Sequence, residues 1–150
     1  MFDQVGCLAC DTSQGRREVP GGLIHRTSGL LVQHCIGPLP LGTLIVKPER
    51  HVLHVADLTG DEAAELGPLL RQATEVITKL VNPTQVYVCL WSHGPVHIHF
   101  VVQPTDGSGL ERTGLRGPAL QAAMFVLKKR PDPLSVEEFA ARARTLFASE

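Results

Sequence analysis

The sequence predicts an α+β domain with a mainly antiparallel sheet of about five strands, one long helix and further helices towards the C-terminus. Strand-like runs come first, a helix follows, two more strand-like runs come next, and helical patterns close the chain. Short links between consecutive strand-like runs favour antiparallel neighbours. Apolar residues make up 43% of 150 residues, which is enough for a core without disulfides. We therefore expect one domain over residues 1–150.

The first strands are predicted between residues 23 and 48. Residues 11–22 are polar and turn-rich, which indicates a loop. The stretch "LIHRTSGLLVQHCI" is typical of a hairpin that turns near Thr27-Ser28-Gly29. After a break at "GPLPLG", the run "TLIVKP" predicts a short strand that ends at Pro48.

The clearest helix is predicted to begin at Thr59. Glu62 lies three residues later and completes a capping box, while Asn82-Pro83 ends the pattern. One apolar stripe of this length indicates a helix packed on a sheet. The stripe comprises Leu66, Leu69, Leu70, Ala73, Val76, Ile77 and Leu80.

Two further strands are predicted in "TQVYVCLWS" and "VHIHFVVQP", separated only by His93-Gly94-Pro95. Both are apolar on consecutive residues, so we expect them at the centre of the sheet. Strand geometry would place His97 and His99 on one face. What two titratable side chains do on one side of a buried strand depends on which other residues can reach them.

The C-terminal third is predicted to be helical. One helix is expected from about Pro118 to Lys129, before "RPDP". Ser135 and Glu138 form a second capping-box pattern that would open the last helix. The residues expected in the core from that helix are Phe139, Ala143, Leu146 and Phe147.

Charge and hydropathy exclude several classes of protein. Lys and Arg number 14 against 15 Asp and Glu, for a net charge of −1, which argues against a broad nucleic-acid binder. A small anionic ligand held by a few local donors is compatible with this charge. The absence of an 18-residue apolar run argues against a membrane protein. The N-terminus "MFDQVGCLAC" has no secretory pattern, so we expect a cytoplasmic protein.

Cys7 and Cys10 form a Cys-x-x-Cys pair that is weak evidence when taken alone. It neither follows a predicted strand nor opens a predicted helix, so a thioredoxin-like site is disfavoured. Zinc is the better candidate, and the two missing ligands must be distant histidines such as His51 and His97. Four protein ligands would make a closed, structural site. The alternative is a reduced, exposed thiol pair without metal.

Four stretches together resemble the histidine triad (HIT) superfamily over about residues 5–105: "CLAC", "PLGTLIVKPERHV", the capped helix and "VHIHFVVQP". The resemblance implies nucleotide binding, cleavage of nucleoside phosphoramidates or dinucleoside polyphosphates through a nucleotidyl-histidine, and homodimers. A zinc-carrying branch of this family uses a Cys-x-x-Cys pair, a later histidine and the first triad histidine. These positions match Cys7, Cys10, His51 and His97.

The triad is incomplete, and two registers are open. If Pro104 matches the proline after the motif, His97 and His99 are the first two histidines and Val101 replaces the third. If the motif slides by two, Pro95 replaces the first histidine and His97 becomes the nucleophile. We prefer the first register because it keeps the proline spacing and supplies the fourth zinc ligand. His99 is then the predicted catalytic residue.

Two departures from the family pattern affect the predicted ligand site. Val101 cannot bind phosphate, and losing one preorganised donor costs about 2.7–4 kcal/mol of barrier. Ser92 and His93 are the predicted replacement donors. The carboxylate that grips ribose in many members is missing, because His34 and Cys35 occupy the corresponding stretch. His34 is either a donor facing the pocket or a partly exposed strand histidine.

Three functions are compatible with the sequence. The first is a hydrolase or transferase that acts at a nucleotide α-phosphate through nucleotidyl-His99. The second is a non-catalytic, zinc-stabilised protein that binds a phosphorylated small molecule. The third, a metalloenzyme using His97 and His99 as a metal pair, is disfavoured because the motif strand contains no carboxylate.

Overall fold

The fold is α+β, as predicted, with five strands and four helices in the computed structural model, which describes residues 3–105 and 109–149. Two 3-10 turns, Val55–Asp57 and Leu110–Thr113, interrupt the loops. The helices and strands in chain order are α1 (Leu8–Ser13), β1 (Leu23–Arg26), β2 (Leu30–His34), β3 (Leu44–Pro48), α2 (Gly60–Val81), β4 (Val86–Cys89), β5 (Phe100–Pro104), α3 (Gly117–Leu127) and α4 (Pro133–Ala148).

All neighbouring strands pair antiparallel, in the order β1-β2-β3-β5-β4. The hairpin at residues 27–29 and the strand ending at Pro48 are confirmed. The prediction that both later strands lie at the centre was wrong, because β4 is an edge strand and β3 is central. Apolar residues on both faces of β4 are partly exposed instead of buried; Val88, for example, is exposed.

The strand register divides the side chains between two faces. Leu44 and Val46 share one face with Val32 and Val102, and this face packs against α2 and α4. We call it the α2/α4 face. Ile45, Lys47 and their cross-strand partners lie on the opposite side, which we call the α1/α3 face.

The long helix is the best predicted element. Thr59 accepts the Glu62 N–H, and the Glu62 carboxylate accepts the Thr59 N–H, so the capping box is present. Asn82 closes α2 in the left-handed conformation, with φ of +52°. Arg50 also donates two hydrogen bonds to Glu62, which joins the start of α2 to the chain after β3.

The N-terminal segment differs from the prediction. Residues 8–13 form α1 with Cys7 at its N-cap, so the Cys-x-x-Cys pair does lie at the start of a helix. The loop predicted over residues 11–22 therefore begins only after Ser13. The helix has six residues, too few for an apolar period to reveal it. Arg16 links α1 to the preceding residues by donating two hydrogen bonds to Asp3 and one to Asp11.

The last two helices lie close to the predicted positions. Gly117–Leu127 forms α3, two residues shorter at its C-terminal end than expected. The helix α4 is capped by Asp132, which accepts the Ser135 N–H, so the capping role predicted for Ser135 was wrong. Pro133 favours this earlier start, because proline suits the first helical position. No helix in the described part of the chain is both long and apolar enough to cross a membrane.

Candidate metal centre and adjoining pocket

Four potential metal ligands meet at the N-terminal end of α1. Cys7 and Cys10 come from the helix, His51 from the loop after β3, and His97 from the segment before β5. Their ligand atoms all lie within 4.8 Å of one another. The Cys10 Sγ is 3.3 Å from Nδ1 of each histidine. Tetrahedral zinc bonded to sulfur and nitrogen at its usual lengths would separate those atoms by about 3.5 Å, so the donor set fits a metal ion.

The cluster is buried, unlike the exposed thiol pair considered above. The exposed fraction is 4% for Cys7, 1% for Cys10 and 0% for His97. Burial, followed by the Lys47 charge, lowers the pKa of His97 to about 4, which keeps the imidazole in its neutral, ligating form. Burial, followed by charge coupling to Cys7, raises the pKa of Cys10 to about 11. A metal would therefore have to displace a proton from Cys10.

One nitrogen of His97 has no protein partner. Nδ1 faces the cluster, whereas Nε2 is buried without a hydrogen bond among the described residues. An unsatisfied buried polar atom costs about 1–3 kcal/mol. If Nδ1 binds a metal, Nε2 carries the proton of the neutral imidazole and still lacks an acceptor among the described residues.

The two motif histidines precede β5 and do not lie within an assigned strand, so their predicted placement was wrong. Strand β5 begins at Phe100, and β3 ends at Pro48. The segment before β5 pairs instead with the loop after β3, where the Val52 carbonyl accepts the Ile98 N–H at 2.8 Å. His97 contributes to the cluster, whereas His99 lines an adjoining pocket.

His99 is held at Nδ1. This nitrogen lies 3.3 Å from the His97 carbonyl oxygen and 3.2 Å from the Ser92 hydroxyl. The His99 backbone N–H also donates to Ser92 Oγ, at 3.3 Å. A carbonyl can only accept, so this arrangement favours the tautomer with the proton on Nδ1 and the lone pair on Nε2. Ser92, predicted to bind substrate, lies against His99, and His93 is exposed on the same loop.

The pocket lies between α1 and α3 and has a volume of about 270 Å³. Most of its wall is apolar, including Leu8, Val96 and Phe125. The polar residues of the lining include Thr12, Gln33, His34, Lys47 and His99. An apolar pocket with a few convergent polar groups is typical of a small-molecule site.

Lys47 is a pocket residue that the sequence analysis did not identify. Its side chain is on the α1/α3 face and is only 2% exposed. Nζ donates to the Ala9 carbonyl at 2.8 Å and to the Thr12 hydroxyl at 2.5 Å. Burial lowers its pKa to about 8, which leaves it positively charged at neutral pH. The available signal was a lysine in the otherwise apolar strand "TLIVKP".

The position predicted for the third histidine of the triad is covered by α3. Val101 is 9% exposed and packs in a cluster with Leu120 and Met124. Next to it, the Gln121 amide donates to Gln103 and accepts from Trp91, at 2.9 and 2.8 Å. This network joins α3 to β5 and to the loop that contains Ser92.

The imidazole of His34 lies on the other side of the sheet. His34 pairs with Leu44 on the α2/α4 face, and its ring meets Phe139 edge-on at 5.8 Å between centroids. Nδ1 lies 2.8 Å from the Cys35 carbonyl, and Nε2 accepts the Gly42 N–H at 3.0 Å. Both nitrogens are engaged by backbone groups. His34 is nevertheless among the residues that line the pocket, and its contact with substrate stays a prediction.

Solved structures provide the comparison with known proteins, since no family model and no curated protein matches the chain. A Zn-bound histidine triad family protein from Mycobacterium smegmatis superposes with a TM-score of 0.68 at 17% identity, covering 96% of this chain and 94% of that one. A HIT-like protein involved in cell-cycle regulation from Bartonella henselae gives 0.69 at 11%, covering 95% and 98%. A hypothetical histidine triad nucleotide-binding protein from Sulfolobus tokodaii gives 0.71 at 15%, covering 95% and 93%.

Proposed function

We propose that this chain, which has the fold of the histidine triad proteins, is a nucleotide-binding hydrolase or transferase that acts at a nucleotide α-phosphate. The observation that carries the proposal is His99 at the pocket wall, with Nδ1 between the His97 carbonyl and the Ser92 hydroxyl. The substrate class is a nucleoside phosphoramidate or a dinucleoside polyphosphate.

The reaction divides into two displacements at phosphorus. Nε2 of His99 attacks the α-phosphorus; a phosphorus–nitrogen bond forms, the bond to the amine or phosphate leaving group breaks, and that group takes up a proton. Water then attacks the nucleotidyl-His99, releasing the nucleoside monophosphate and restoring the imidazole. The His97 carbonyl and Ser92 orient the ring by holding Nδ1–H throughout.

Zinc is the proposed resident metal. Cys7, Cys10, His51 and His97 would hold it, and two thiolates with two imidazoles are a donor set that suits zinc. The Zn-bound structural neighbour supports this identity. When bound, the metal supplies folding stability, because four protein ligands leave no position for substrate. These ligands tie α1 to the segment that precedes His99.

Space for the rest of a nucleotide is available beside the pocket. An open groove of about 780 Å³ shares Thr12, Val19 and Gln33 with the pocket wall. A leaving group or base could extend into this groove while its phosphate stays near His99. His93, exposed on the loop of Ser92, remains a proposed contact for phosphate oxygens.

The test is hydrolysis of nucleoside 5′-phosphoramidates and dinucleoside polyphosphates by the zinc-loaded protein, its His99→Asn variant and a His54→Asn control. His54 is exposed and distant from the pocket lining, so its replacement should leave turnover unchanged. We expect His99→Asn to abolish turnover and to retain zinc and folding. Equal turnover in His99→Asn would reject the nucleotidyl-histidine mechanism.

A second candidate function is a zinc-stabilised protein that binds a phosphorylated small molecule without turnover. The burial of Val101 beneath α3 favours it, because the position of the third histidine offers no phosphate donor. Ligand binding by the folded, zinc-loaded protein, with no hydrolysis above the His99→Asn background, would select this alternative.

We also propose a homodimer, which the resemblance implies. In support, one edge of β4 is unpaired in the described part of the chain, and Val88 and Trp91 are exposed beside it. Sedimentation equilibrium tests this proposal, and a monomer at high micromolar concentration would reject it.

A further inference from the structure

We propose that Lys47 is the anion-binding residue of the pocket, and that its ammonium group holds the negatively charged phosphate of the ligand next to His99. This assignment deepens the proposed function and rests on it. The ligand class is a phosphate monoester or diester small enough for its phosphate to enter the pocket between α1 and α3.

Lys47 and His99 line the same pocket. The pairs between β3 and β5 are Leu44 with Val102, Ile45 with Val101 and Val46 with Phe100. Lys47 and His99 each adjoin the last of these pairs, Val46 with Phe100, and beyond it the Ile98 N–H donates to the Val52 carbonyl. Both residues line the pocket between α1 and α3. A single phosphate can therefore meet both groups.

Lys47 is a buried cation without a carboxylate partner. Within residues 3–105 and 109–149, no Asp or Glu forms an ion pair with it. The acidic groups that raise the pKa of Lys47, against the larger lowering by burial, are Cys10 and Cys7, and a bound divalent metal would neutralise the charge of their thiolates. An ammonium group is costly to bury unless an opposite charge compensates it. An anionic ligand would supply that charge.

The ammonium also has a spare hydrogen-bond donor. Two of its three N–H groups go to neutral oxygens, the Ala9 carbonyl and the Thr12 hydroxyl. These two bonds fix the position of the nitrogen against α1 without cancelling its charge. The third N–H is free to donate to a ligand in the pocket that the side chain lines.

This assignment also accounts for a triad that ends in valine. Val101 pairs with Ile45, the residue two positions before Lys47 on the same face. The positive group therefore comes from the neighbouring strand β3 instead of from β5. Its place on β3 leaves Val101 free to pack beneath α3.

The experiment measures binding of inorganic phosphate, AMP and uncharged adenosine to the zinc-loaded full chain at pH 7 and constant ionic strength. Lys47→Met removes the charge, and Thr12→Val removes one tether of the ammonium but keeps the charge. We expect Lys47→Met to weaken phosphate and AMP binding by about tenfold or more, with adenosine unchanged. Thr12→Val should keep the preference for AMP over adenosine. Zinc content and far-ultraviolet circular dichroism verify that each variant is folded.

A wild-type measurement covers the case in which Lys47→Met does not fold. The ¹³Cε signal of Lys47 should shift on addition of phosphate and remain in place with adenosine. Unchanged phosphate and AMP affinity in folded Lys47→Met, or an unmoved Lys47 signal at saturating phosphate, would overturn the proposal.

The outcomes also separate this proposal from the proposed function. Lys47-dependent phosphate binding with no hydrolysis of any substrate would support the anion site and reject the enzyme. Hydrolysis that depends on His99, with AMP affinity unaffected by Lys47→Met, would support the enzyme and reject the anion site.

Discussion

The two faces of the sheet differ in how they treat buried polar side chains. On the α2/α4 face, both ring nitrogens of His34 are engaged by backbone groups. On the α1/α3 face, His97 has an unpartnered Nε2 among the described residues, and Lys47 has a spare N–H. Because unused hydrogen-bonding capacity is costly in a protein interior, its concentration on one face indicates where a ligand belongs.

The contrast also exists within the α1/α3 face. Beneath α1 lie the Cys/His cluster and Lys47, with their unused bonds. Beneath α3, the amides of Gln103 and Gln121 bond to each other and to neighbouring side chains. We therefore expect polar residues near α1 to control metal and ligand binding, and those near α3 to act mainly on local structure.

Replacing a metal donor should give the largest effect. His97→Ala removes one of the four donors, so we expect loss of zinc and a less stable domain. At free zinc about 1,000 times its Kd, bound metal stabilises a fold by about 4 kcal/mol. Zinc stoichiometry and the urea midpoint, each with and without chelator, measure the effect, with His54→Ala as the exposed control. Full zinc occupancy in His97→Ala would contradict the assignment of His97 as a zinc ligand on the α1/α3 face.

On the opposite face, His34→Leu should change stability and leave the pocket intact. The substitution leaves the Gly42 N–H and the Cys35 carbonyl without their partner, at a cost of about 1–3 kcal/mol near pH 7.5. Burial lowers the pKa of His34 below its usual 6.5. Below pH 6.5, His34 is protonated in the unfolded chain to a greater extent than in the folded chain. The free energy of unfolding of the wild type therefore decreases as pH falls. The difference in free energy of unfolding between the wild type and His34→Leu should therefore decrease from pH 7.5 to pH 5.

The measurement is urea unfolding across that pH range, together with zinc content and AMP affinity at pH 7.5. His25 and the other histidines are common to both proteins, so the difference between the two curves isolates His34. A constant difference, or a loss of AMP affinity in His34→Leu, would contradict its assignment as a structural residue.

The smallest effect is expected from Gln121→Leu beneath α3. Gln103 would lose a donor and Trp91 an acceptor, for a cost of about 1 kcal/mol. Trp91 is the only tryptophan of the chain, so its fluorescence reports directly on the loop that contains Ser92. We expect an altered emission spectrum with normal zinc content. Zinc loss in this variant would show that the α1 and α3 regions are not separable.

Periodic and capped elements were predictable because their signals are local. The Thr59–Glu62 box and the apolar stripe depend on neighbours within a few residues, and α2 occupies the predicted place. The turn at residues 27–29 likewise depends on its own sequence. The donors Cys7, Cys10, His51 and His97 were chosen from spacing and from a family resemblance, and the fold brings them together.

Other features depend on strand order, strand register and contacts between distant parts of the chain. The edge position of β4 follows from strand order, which apolar content alone does not specify. The face on which His34 lies depends on the register with β3, and one residue of register exchanges the two faces. Helix α1 is held by Asp3, Arg16 and the cluster, and its six residues contain no helical period.

By itself, the sequence determined the fold class, the long helix and the first hairpin, because caps, periods and turns depend on neighbouring residues. The candidate metal donors came from the Cys-x-x-Cys spacing together with a family resemblance. Only the tertiary structure decided that His99 lines a pocket, that the His34 ring packs against Phe139, and that Lys47 is buried in the wall of the same pocket as His99. Those outcomes depend on strand register and on which helix covers each face. They are set by contacts between residues far apart in the chain, such as Lys47 with Thr12.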